Sequence, residues 1–240
     1  MKAAMIQMDM ELGKPDENFE KAVRMTEEAC ALNPDVVILP KTWNVGFFPR
    51  ENLDKLSDRD CSRVKETFSS LSKTYAVNVI AGSVANRKAD GNIYNTACVF
   101  DRKGNLTAQY DKVHLFSPSG EDDFFQCGDR PCNFELDGIP CSLVICYDIR
   151  FCELSRIYAL RGAELLIVTS NFPNPRVSHW RTLLIARAIE NQMFVAACNR
   201  VGESPMGTYC GHSIIIDPWG NVIAEGNDEE GSITGSIQLS

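Results

Sequence analysis

The sequence predicts an α/β fold built in layers, and three observations point to it. Short apolar runs alternate with amphipathic helical stretches along the chain. The run Val36, Val37, Ile38, Leu39 has no polar alternation, which marks a strand covered on both faces. The segment "VFDRKGNLTAQ" (99–109) is echoed by "IIDPWGNVIAE" (215–225), and each reads as a β-hairpin whose glycine supplies a positive φ. Each hairpin closes a half of the chain, so two sheets packed face to face with helices outside are expected.

Strands are expected at 2–8, 36–40, 77–84, 94–101 and 106–110, then at 141–147, 164–170, 193–200, 212–217 and 221–225. A first helix over 17–31 sets Phe19, Val23, Ala29 and Cys30 among charges. A second over 60–75 places Cys61, Val64, Phe68, Leu71 and Tyr75 at spacings of three and four, an apolar stripe. Two more are expected over 151–162 and 178–191. No linker or low-complexity run divides the chain, so 1–240 is taken as one domain.

The composition, 44% apolar and 23% charged, is that of a soluble globular protein. A net charge of −8 argues against nucleic acid and against an anionic membrane surface as partners. The amino terminus "MKAAMIQMDM" has no secretory signal pattern, and no apolar run approaches the roughly 18 residues of a membrane span. Ten cysteines without a CxxC pair, and three scattered histidines, give no metal site. A reduced, cytoplasmic protein with mostly buried thiols is expected.

The chemistry concentrates at strand ends. In "CSLVICYDIRFCE" (141–153), Cys146 stands where a buried strand gives way to a helix, the position of a nucleophile on a tight turn. A small buried hydrophobe is the competing reading. Asp148 and Arg150 are expected to hold that turn, Arg150 by an ion pair with Glu153. Lys112 in "YDKVHLF" and Lys41 in "VVILPKTWNVG" each leave a strand end, where ligand sites gather in α/β folds, although most lysines are solvated. The loop "SPSGEDDFFQCGD" (117–129) sets Glu121, Asp122 and Asp123 beside Phe124 and Phe125, either a catalytic carboxylate or an acidic surface loop. His114, His179 and His212 stand in no obvious base motif.

Taken together, "VVILPKTWNVGF", "YDKVHLF", "GEDDFFQCGD", "VICYDIRFCELSRIYALRGAELLIVTSNFP" and "HWRTLLIARAIENQMFVAACNRVG" resemble the nitrilase superfamily of carbon–nitrogen hydrolases, along the whole chain and in the family's order. The ω-amidase-like branch, which hydrolyses small dicarboxylate monoamides, is the most similar. The resemblance implies an αββα four-layer sandwich with two mixed sheets and helices outside. It also implies a homodimer or larger assembly and an active site without cofactor or metal. Carried over by position, Cys146 is the nucleophile that forms a thioester. Lys112 and the backbone N–H of Tyr147 stabilise the oxyanion, and Glu121 positions Lys112 or the substrate.

The family's general base is a glutamate directly after "LP", and here Lys41 stands there. Three accounts follow. Lys41 is a disabled base on an otherwise intact amidase. Alternatively Lys41, made less basic by burial and Lys112, acts as a neutral amine. In the third account Glu121 takes over as base. A different class of reading keeps the pocket without turnover, as a ligand-binding or regulatory module. Trp43, Phe47 and Phe116 are expected as apolar walls, with contributions from Asn171, Phe172, Arg176 and Trp180. Arg176 is either a partner for a substrate carboxylate or a surface residue near a dimer contact.

Overall fold

The computed structural model describes residues 1–47, 49–205 and 207–239. The first half runs β1 (Lys2–Gln7), α1 (Pro15–Cys30), β2 (Val36–Ile38), α2 (Leu53–Leu56), β3 (Asp58–Arg59), α3 (Ser62–Tyr75), β4 (Asn78–Arg87), β5 (Ile93–Phe100) and β6 (Leu106–Asp111). The second runs β7 (Asn133–Leu136), β8 (Ile139–Ile145), α4 (Cys152–Leu160), β9 (Leu165–Thr169), α5 (Val177–Asn191) and β10 (Phe194–Cys198). It continues through β11 (Val201–Ser204), β12 (Gly207–Cys210), β13 (Ile214–Ile216) and β14 (Val222–Glu225) before β15 (Gly231–Ser236).

One sheet has the order β15-β1-β2-β4-β5-β6, with β3 beside β4, and the other β14-β13-β10-β9-β8-β7. Each has a parallel centre, β1-β2-β4 or β8-β9-β10, crossed over by two helices and finished by an antiparallel edge hairpin. The two edge hairpins turn alike. The Asp101 carboxylate accepts from the backbone N–H groups of Lys103 (2.8 Å) and Asn105 (2.9 Å) on either side of Gly104 at φ 81°. The Asp217 carboxylate accepts from Trp219 (2.8 Å) and Asn221 (2.9 Å) around Gly220 at φ 85°. β15 then returns to pair with β1, tying the end of the chain to the first sheet.

Strand alternation divides the core. Ala3, Met5, Val36, Ile38, Ile80 and Val99 face the second sheet and pack with Leu143, Ile145 and Ile167. Their neighbours Ala4, Ile6, Val37, Leu39, Val79 and Phe100 face outward onto Phe19, Ala22 and Met25 of α1 and Val64, Phe68 and Leu71 of α3. On the far side, α4 and α5 cover the second sheet through Tyr158, Trp180, Leu184 and Ala188. Each valine, leucine, isoleucine, phenylalanine or methionine among them contributes about 1.5–3 kcal/mol when fully removed from water. The result is the expected αββα sandwich. The carboxyl ends of β2, β6, β8 and β9 meet at one edge of it.

Three expectations need correction. Trp43 is not a pocket wall. Thr42 has a positive φ of 42°, and Trp43 turns away from the second sheet, where its indole donates to Ala81 O (2.9 Å) and packs edge-on against Phe19 and Phe68. Trp180 is likewise interior: its indole donates to His212 O (2.7 Å) and its ring backs Phe172, with centroids 5.4 Å apart. Arg150 reaches His179 (Nη2 to Nδ1, 3.3 Å), and no Arg150–Glu153 pair is found among the described residues.

Candidate active site

Cys146 follows directly on β8 and adopts φ 52°, a left-handed backbone that a non-glycine residue holds only under local constraint. Asp148 supplies the constraint. Its buried carboxylate accepts from Ile145 N (2.9 Å), His114 N (2.9 Å) and the Tyr110 hydroxyl (2.8 Å), and lies 2.8 Å from His114 Nδ1. The bend from strand to 3-10 turn (Cys146–Arg150) is therefore fixed from below, as expected of Asp148.

Beside it lies a buried trio of charges. Lys41 and Lys112 are 1% and 0% exposed, and both donate to Glu121, which is 0% exposed. Lys41 Nζ is 2.7 Å from Glu121 Oε1, and Lys112 Nζ holds Oε2. The same carboxylate accepts from Phe116 N (2.8 Å) and Asn95 Nδ2 (3.1 Å), so each oxygen has two donors. Of the two early readings of "GEDDFF", Asp122 and Asp123 are the exposed acidic loop, and Glu121 is the interior carboxylate.

These contacts set the protonation states. Burial pushes Glu121 toward its neutral form, but Lys112 and Lys41 outweigh it and hold the carboxyl well below the usual carboxylate range. Burial is also the largest influence on both lysines and opposes their charge. For Lys41 the attraction of Glu121 and Cys146 overcomes it, and the amine ends above its ordinary value. For Lys112 burial and the charge of Lys41 prevail over Glu121, and the amine ends below it. Two ammonium groups share one carboxylate, so the trio carries an excess positive charge when all three are ionised.

Lys41 and Cys146 open onto one cavity of about 220 Å³. Phe47, Phe116, Tyr147, Asn171, Phe172 and Arg176 line it as well, so those expected wall residues are brought together. Lys41 Nζ also sits 4.5 Å from the centre of the Phe47 ring. Pocket residues outside the expected set include Arg150 and Tyr209. Arg150 was singled out in the sequence only as a residue that holds the turn after Cys146. Tyr209 was not, because it lies on the β11–β12 ribbon, whose sequence shows no strand pattern. None of the three histidines lines the cavity: His114 is bound to Asp148, His179 to Arg150 and His212 to Glu225 (2.9 Å). No group of three or more metal-ligating side chains is found among the described residues.

The chain belongs to the carbon–nitrogen hydrolases: the Carbon-nitrogen hydrolase model matches residues 2–240. Among its relatives, the 2-oxoglutaramate amidase of Bacillus subtilis (strain 168) is 44% identical over 234 residues, covering 98% of this chain and 89% of that protein. The human omega-amidase NIT2 is 32% identical over 249 residues, covering 98% and 88%. Among solved structures, Saccharomyces cerevisiae Nit3, a member of branch 10 of the nitrilase superfamily, superposes with a TM-score of 0.89 at 26% identity, over 98% of this chain and 89% of that one.

Proposed function

We propose that this protein acts on a small dicarboxylate monoamide through a thioester on Cys146, and that Lys41 makes release of that thioester slow. The observation that carries the reading is the buried trio beside Cys146: a nucleophile, a lysine to meet an oxyanion, and no free carboxylate to serve as base. The 2-oxoglutaramate amidase and omega-amidase names of the relatives favour the substrate class. The guanidinium groups of Arg150 and Arg176, both half-buried in the cavity wall, suit a distal carboxylate.

In acylation, the Cys146 thiolate attacks the amide carbon, and the oxyanion forms against Lys112 Nζ and the backbone N–H of Tyr147. The C–N bond then breaks, and the nitrogen leaves as ammonia after taking one proton. Solvent supplies that proton, because Lys41 stays protonated on Glu121. Deacylation needs the reverse: a water must lose a proton as it attacks the thioester carbon and Cys146 departs as thiolate. Lys41 is held protonated by Glu121, which disfavours the neutral-amine account. Glu121 is itself held ionised by four donors and has little basicity to offer, which disfavours the third account. The disabled-base account remains, and loss of a general base lowers turnover by about 10²- to 10⁴-fold.

Intact-mass measurement after mixing with succinamate tests this. The acyl group is expected to persist on Cys146 in this protein and to be cleared in Lys41→Glu. A protein that stays unmodified while releasing no ammonia refutes the thioester reading.

We also infer that the protein pairs through the outer faces of α4 and α5. Leu160 is 79% exposed and Ile189 51%, and Trp219, 85% exposed, belongs to the hairpin turn at Gly220 that sits on Ile189. A cytoplasmic setting fits the reduced cysteines expected from the sequence.

A further inference from the structure

We infer that the cavity retains a C4–C5 dicarboxylate, the product class of the proposed reaction, in preference to the monoamide, and so works as a dicarboxylate-binding site. The inference rests on the amidase reading only for the length of the ligand; the charge pattern carries the rest.

Three cationic side chains line the cavity, Lys41, Arg150 and Arg176, and no aspartate or glutamate does so among the described residues. At the buried end, Lys41 and Lys112 have only the Glu121 carboxylate between them, so one positive charge is left over when both amines are ionised and Cys146 is not a thiolate. At the half-buried end, Arg150 lies over the rings of Tyr147 (5.8 Å) and Phe172 (5.5 Å), and Arg176 over Phe116 (5.7 Å). These aromatic faces steady the guanidinium groups without neutralising them. Among the described residues neither arginine has a carboxylate partner within salt-bridge distance. The cavity thus presents unneutralised positive charge at both ends, in surroundings apolar enough to strengthen it.

A carboxylate at position 41 repels a carboxylate formed at the reacting carbon and helps to expel it. An ammonium there attracts it, and a charge-assisted contact replaces the weaker one that a neutral amide can make. The amide end of a monoamide leaves the excess charge uncompensated, whereas the second carboxylate of the product compensates it. About 220 Å³ accommodates a chain of four or five carbons bearing two carboxylates.

Calorimetric titration with succinate and succinamate, equal in length and differing by one charge, is the test, carried out with Cys146→Ala in every variant so that succinamate cannot acylate the cysteine. This protein is expected to bind succinate about tenfold or more tighter than succinamate. Lys41→Glu is expected to reverse that order, Lys41→Met to level it, and Arg176→Met to weaken both ligands. Equal affinity, tighter binding of succinamate, or no binding of either at millimolar concentration overturns the inference. The two readings fail separately. Ammonia release gained by Lys41→Glu with no succinate preference in the parent sinks this inference alone. A succinate preference without any gain in ammonia release sinks the amidase reading and leaves the binding site standing.

Discussion

At the scale of single residues, the site is governed by how many charges share Glu121. Its carboxylate stays ionised in the folded chain to a lower pH than in the unfolded chain, because two ammonium groups overcome the cost of burial. The stability it adds is complete above the unfolded carboxylate's range near about 4.3 and is lost as pH falls through the lower folded value. Glu121→Gln leaves two buried ammonium groups facing each other, and removal of one partner from a buried pair costs about 3–5 kcal/mol. Urea unfolding at neutral pH is expected to show that loss, with a much weaker acid dependence than the parent's. An unchanged midpoint contradicts the buried trio. The thiols offer a second check. Cys127 and Cys152 are exposed, whereas Cys146 is nearly buried but opens onto the cavity from a left-handed corner beside Lys41. Iodoacetamide mapping is expected to modify Cys146 first, and prior labelling of Cys127 and Cys152 argues against a poised nucleophile.

At the scale of elements, the Lys41 loop is placed by β4. Between Ile80 and Ser83 the register with β5 shifts, and the bulge lets Ser83 take the loop from two sides. Its backbone N–H donates to Pro40 O (3.1 Å), and its hydroxyl accepts from Thr42 N (3.0 Å). Gly82 makes this possible, with φ 55° and space for no side chain: a Cβ there stands 2.1 Å from Pro40 O. Gly82→Ala is expected to destabilise the fold by more than about 1 kcal/mol and to disturb Lys41. Thermal unfolding together with the labelling rate of Cys146 reads both effects, and an unaltered protein removes the bulge from the account. The sequence disclosed the buried strands at 36–40 and 164–170 because their apolar runs had only one economical place. β7, β11, β12 and β15 were not legible. "NFEL", "VGES", "GTYC" and "GSITGS" are short or rich in glycine and serine, and they are strands because of the neighbours they pair with. Trp43 misled for a related reason. The positive φ of Thr42, which no local pattern announces, sends the indole to the helix layer and leaves Phe47 to face the cavity.

At the scale of the whole molecule, the two halves repeat one plan, three parallel strands with crossover helices and then an edge hairpin, and the cavity lies where their strand ends meet. The first half supplies Lys41 and Lys112, the second Cys146 and Arg150, so neither half alone assembles the site. Cys146, Lys112 and Glu121 were legible as candidates at a strand end or in the loop beyond it, and the resemblance to the family singled them out from their neighbours. The sharing of Glu121 by two lysines was not legible, since it depends on a contact between residues 41 and 121. Outside the sandwich, the exposed Trp219 and Leu160 predict association in solution. Sedimentation is expected to find a dimer that Trp219→Ser or Leu160→Asp weakens, and a monomer at high concentration contradicts the pairing. The central claim is that Lys41 disables an otherwise complete amidase site. Ammonia release from a panel of dicarboxylate monoamides tests it most directly, with this protein and Lys41→Glu compared against Cys146→Ala as the blank. The account predicts the parent near the blank in steady state and a gain of about 10²- to 10⁴-fold in Lys41→Glu. A parent that turns over far above the blank, with no gain in Lys41→Glu, contradicts it and returns the role of base to Lys41 or Glu121.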